Sequence, residues 1–132
     1  MSDREIYENF YNKFQEKDYD GALALLNELK RFRTPEEINT FKVKILVNKA
    51  AHISSLDIEE SLDLLFQASD IEYNDDKMKK EIEKYIFNAF NKVYIKKLEN
   101  KKYEDIPKLF NKILKIEFSS DSMKDYLKIH QY

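Results

Sequence analysis

The sequence predicts an all-α fold, on three observations. One Gly and two Pro in 132 residues leave little material for the tight turns that join strands into hairpins. Apolar residues recur at three- and four-residue steps over long runs, which is the period of an amphipathic helix. Helix-start signatures such as Thr34-Pro35-Glu36-Glu37 and Asp57-Ile58-Glu59-Glu60 then divide those runs. At this length the chain is expected to form one domain with a substantial core, spanning 1–132.

About seven helices follow from the punctuation. The first covers roughly Asp3 to Gln15, with Ile6, Tyr7, Phe10, Tyr11 and Phe14 on one face. A second begins near Asp18 or Asp20, either of which can accept from first-turn N–H groups, and ends near Phe32. The third starts at Thr34, with Pro35 in the first helical position, and runs to about Ile53. The fourth opens at Asp57 and is expected to reach Tyr73. The fifth follows Asp75-Asp76 and extends to about Asn100. Pro107 is tolerated only in a first turn, so the sixth starts near Tyr103. Ser119-Ser120-Asp121-Ser122 announces the last. Links this short favour antiparallel neighbours.

Three helix pairs share an internal pattern. Their turns read Asp18-Tyr19-Asp20-Gly21-Ala22, Asp57-Ile58-Glu59-Glu60-Ser61 and Lys102-Tyr103-Glu104-Asp105-Ile106. Each carries an aromatic or aliphatic residue, two largely acidic residues, and then a residue turned toward the partner helix. With KDYDGALALLNEL, LDIEESLDLLFQA and KKYEDIPKLFNKIL as second helices, the chain resembles the tetratricopeptide repeat (TPR) family of helix-turn-helix units. The resemblance implies three antiparallel hairpins stacked as an α-solenoid, with a C-terminal helix capping the last apolar face. Tyr11, Ala50 and Tyr94 stand where that family has a glycine, and the three turns are unequally spaced. A generic helical bundle would carry the same punctuation and is the alternative architecture.

No catalytic constellation emerges, so no enzyme is expected. Without cysteine there are no disulfides and no thiolate metal sites. Neither His52 nor His130 has a second ligand at helical spacing, and no Gly-rich phosphate loop is present. Glu16, Asp18, Asp20 and Gly21 match part of a calcium loop, but its twelfth position is Asn27 where a bidentate Glu is needed. No metal or other cofactor is expected. The N-terminus lacks an apolar signal region and no run is long enough to span a membrane. An intracellular, soluble protein fits these features.

What remains is a surface. The formal charge of −2 hides a segregation, with −8 over residues 54–76 and +7 over 77–115. These segments are candidate complementary faces within an assembly or in self-association. The TPR resemblance implies an adaptor or complex subunit holding a peptide or partner helix in the concave face lined by first helices. Some family members clamp a terminal carboxylate there. Asn12, Asn48 and Lys92 fall on three of the five clamp positions, whereas Glu8 and Asn88 stand where lysines are expected. Lys44 and Asn91 complete the candidate partner-binding residues. The second reading is nucleic-acid binding by the tract 77–115, where twelve lysines interleave with Tyr85, Phe87, Phe90, Tyr94 and Tyr103. That tract has no Arg, the better residue for bidentate contacts.

Overall fold

The structure, a computed structural model, describes residues 2–116. Among these residues it is all-helical, with six α-helices: α1 (Asp3–Gln15), α2 (Tyr19–Leu29), α3 (Pro35–Ile53), α4 (Ile58–Ser69), α5 (Asp76–Glu99) and α6 (Ile106–Ile113). A 3-10 turn, Tyr103–Asp105, leads into α6. The described helices therefore number six rather than about seven, and the helix expected after Ser119 lies outside the described residues.

Side-chain caps set the starts. Ser2, Asp18, Thr34, Asp57 and Asp75 each accept from the backbone N–H three residues on, at 2.9 to 3.3 Å. Each cap satisfies one of the free N–H groups that a helix start leaves. Two ends come earlier than the periodicity suggests. α2 stops at Leu29, and Arg31 to Arg33 turn back on Glu28 and Leu29 through short-range bonds. α4 stops at Ser69, whose hydroxyl donates to the Phe66 carbonyl at 2.7 Å. Tyr73 is buried nonetheless, reaching the core from the loop before α5.

α1 and α5 end alike. Lys17 and Lys101 adopt left-handed backbone, at φ 62° and 57°. In each case the next amide reaches back five residues, Asp18 to Lys13 and Lys102 to Lys97, both at 2.9 Å. The amide of the left-handed lysine itself reaches back three, at 3.1 Å, which completes a Schellman cap. The turn between α3 and α4 is one residue longer, and no residue in it needs positive φ.

Each helix packs on its neighbours in chain order. Asn39 near the start of α3 donates to the Glu72 carbonyl beyond α4 (3.0 Å), and Ser61 near the start of α4 donates to the Ala50 carbonyl late in α3 (2.8 Å). α3 and α4 are thus antiparallel. The start of α4 also meets the end of α5 through Glu59 and Lys97, so α3 and α5 run in the same direction. The core has two lobes that share α3. Ile38 and Ile45 join Ile6, Phe10, Ala22, Leu26 and Leu29 on one side, while Val43, Leu46 and Ala50 join α4, α5 and α6 on the other.

Candidate functional site

A groove of about 490 Å3 runs between α3 and α5 with α4 as its floor. Residue size explains why it is open here. At the preceding seam, between α1 and α3, aromatic rings fill the space: the Phe41 ring lies tilted with its centre 5.4 Å from that of Phe10 and 6.1 Å from that of Tyr7. Phe14 continues the row to Tyr19, which touches the His52 ring at 6.0 Å. Between α3 and α5 the corresponding walls carry Ala50, Ala51, Ser54 and Ala89, which leave the space unfilled.

The groove gathers some of the expected residues and not others. Lys44 and Asn48 on α3, and Lys92 on α5, all line it, together with Asn88. Asn12 sits on α1 and is exposed away from it, so the clamp positions are not collected at one point. Asn91 is half-buried outside the groove. Its side-chain oxygen is buried and accepts no hydrogen bond. Asn48 is partly committed, since its amide nitrogen donates to the Lys44 carbonyl at 2.7 Å. Glu8 pairs with Arg4 on the outer face of α1. His52 is exposed at the end of α3.

Sequence reasoning missed Ala51, Met78, Tyr85 and Ala89, which give the groove its apolar lining. The available signal was negative: a run of small residues, Ala50-Ala51 and Ala89, where the preceding seam has Phe10, Phe14 and Phe41.

The groove lysines differ from Lys49, Lys97 and Lys112, which are paired across other seams. Lys49 reaches Asp20 at 3.3 Å and Lys112 reaches Asp63 at 3.7 Å. Lys97, only 15% exposed, bridges Glu59 (3.0 Å) and Asp105 (3.1 Å). These two carboxylates hold the Lys97 ammonium above its usual range, chiefly through their hydrogen bonds. Among the described residues, Lys44 and Lys92 have no ion-pair partner. The segregated charges thus meet one another inside the molecule, across α4, α5 and α6, and only part of that charge faces outward.

A wider concavity of about 750 Å3 lies between α4, α5 and α6 and ends at Ile116, the last described residue. There Asp63, Asp70 and Glu83 face Lys79, Lys112 and Lys115, so its charges balance within it. On its rim, burial pushes the Tyr73 hydroxyl up to about 12, with Asp75 and Glu83 adding to the effect. In the tract 77–115, Phe90 is fully buried and Phe87 and Tyr94 are half-buried. Tyr85 and Tyr103, 49% and 58% exposed, are the two aromatics of that tract left open to solvent.

No group of three or more His, Asp or Glu among the described residues could hold a metal ion, and no described helix is long and apolar enough to cross a membrane. No protein-family model matches the chain, and no curated protein or solved structure is significantly similar to it.

Proposed function

We propose that this chain is a non-catalytic interaction module, a divergent TPR-like array of helical hairpins whose α3–α5 groove docks a segment of another protein, as an adaptor or as a subunit of a complex. The observation that carries this reading is the groove itself. Two parallel helices wall it with small residues such as Ala51 and Ala89; Ile58, Ser61 and Leu65 of α4 form its floor, and Lys44, Asn48, Asn88 and Lys92 stand at its edges. Binding sites of this kind pair apolar area with a few polar groups that fix orientation. The repeated turns support the repeat architecture: the residues at Ala22 and Ser61 are buried at helix contacts, and Schellman caps recur at Lys17 and Lys101.

Ala51→Trp is the direct test, because Ala51 is exposed in the groove and a Trp there fills it without entering the core. Tagged wild-type protein and this variant are used to capture partners from cells of the source organism, with thermal melts checking that both fold. The proposal expects a protein bound to wild type and lost from the variant. Several substoichiometric partners would mark an adaptor, and one stoichiometric partner a fixed subunit. Equal recovery on both would refute the groove as the docking surface. Recovery of nucleic acid that resists moderate salt would favour the lysine-rich α5 surface instead.

A further inference from the structure

Resting on the groove as the docking surface, the charge pattern says what kind of segment it takes. Lys44 and Lys92 are both exposed and have no ion-pair partner among the described residues, whereas Lys49, Lys97 and Lys112 each reach a carboxylate. Glu81 is the one acid of the groove lining. The cavity therefore carries a net positive edge over an apolar lining of Val47, Ala51, Ile58, Leu65, Ile82 and Ala89. Cations beside such a lining attract carboxylates by complementarity, which sets orientation and association rate, while apolar burial supplies the affinity.

We infer that the occupant is an acidic segment internal to a partner protein, with apolar side chains between the Ala51 and Ala89 walls and side-chain carboxylates at Lys44 and Lys92. A terminal carboxylate is the less fitting source. Its recognition needs several fixed donors converging on one point, and here Asn48 already gives an amide proton to Lys44, while Asn12 lies off the groove. The two lysines belong to different walls and reach out on flexible stems, a geometry suited to separate carboxylates along a chain.

The test is selection from two random twelve-residue peptide libraries. In one the peptides are fused at both ends, and in the other they carry a free C-terminus. Each is panned on the wild-type protein, on Ala51→Trp and on the double variant Lys44→Glu/Lys92→Glu. The inference expects fused peptides rich in Asp or Glu beside apolar residues. Their affinity should fall roughly tenfold or more on charge reversal, and Ala51→Trp should abolish it. Peptides that need Ala51 but are neutral or basic would leave the docking surface standing and overturn the inference. Enrichment confined to the free-C-terminus library would overturn it in favour of a terminal carboxylate. If no enrichment depends on Ala51, the docking surface itself falls, and the inference with it. Lys44→Ala/Lys92→Ala, which introduces no repulsion, separates loss of attraction from a general disturbance of the surface.

Discussion

Asp18 enters α2 at φ −85°, whereas Asp57 and Asp75 cap α4 and α5 at φ −149° and −155°. The difference comes from the turn before it, where left-handed Lys17 and the Asp18 amide are both tied back to α1. In that orientation the Asp18 carboxylate, hydrogen-bonded to the Gly21 amide and paired with Lys13, overhangs residue 21. A Cβ at Gly21 would stand 2.5 Å from its Oδ2 and 2.8 Å from its Cγ. The glycine is there for space, which accounts for a residue whose helix propensity alone disfavours it by up to about 1 kcal/mol against Ala. Gly21→Ala is therefore expected to lower stability in urea melts, because the carboxylate must leave its cap. In an Asp18→Ala background the same change is expected to raise stability. Gain in both backgrounds would mean the carboxylate yields without cost. Lys101→Gly is expected to stabilise by about 1 kcal/mol, since a side chain at left-handed φ costs roughly that much; no change in the melt would show that the Lys101 side chain compensates.

Between elements, contact depends on a few small or charged residues. Ala22 is fully buried and Ser61 is 2% exposed, with the Ser61 hydroxyl bonded to the Ala50 carbonyl. Ser61→Ala is expected to cost about 1 kcal/mol through the lost bond. Ser61→Leu should cost a further 1–3 kcal/mol, roughly, by overpacking. Equal melts for the two variants would show that α3 and α4 can part at no cost. At the equivalent place in the third hairpin stands Ile106, only half-buried, and α5 and α6 pack less closely than the first two pairs. There the Glu59–Lys97–Asp105 bridge ties the helices instead. The hydrogen bond from Lys97 holds the Asp105 carboxyl below the usual carboxylate range. A lowered carboxyl pKa adds stability above the unfolded value near pH 4, lost as pH falls through the folded value. The raised Lys97 pKa adds stability below about pH 10, lost as pH rises past its folded value. The Lys97–Asp105 pair is thus complete between about pH 4 and pH 10. Lys97→Met is expected to cost about 1 kcal/mol at pH 7 and less at pH 3, measured by melts at both; a pH-independent cost would assign the effect to packing.

Across the molecule, α3 is the shared wall, giving Ile38 and Ile45 to one lobe and Val43, Leu46 and Ala50 to the other. The outer face of α1 exposes Arg4, Glu8 and Asn12 together with Tyr11, which is 52% exposed. Much of this order was legible in the sequence. Thr34, Asp57 and Asp75 announced their helices because capping is a local interaction between residues three apart. The end of α4 was not legible, because Tyr73 keeps the apolar period although its backbone has left the helix. Nor was the groove, which depends on which side chains face each other across two helices thirty-odd residues apart, a relation that periodicity within one helix does not contain. Lys44, Asn48 and Lys92 reach it, while Asn12 and Asn91 do not. The most direct measurement is amide hydrogen exchange on the protein with its captured partner bound. Docking in the groove predicts added protection confined to residues 44–54 and 78–92, the two walls of the groove. Protection centred on α2 and α6, with these walls unchanged, would contradict it.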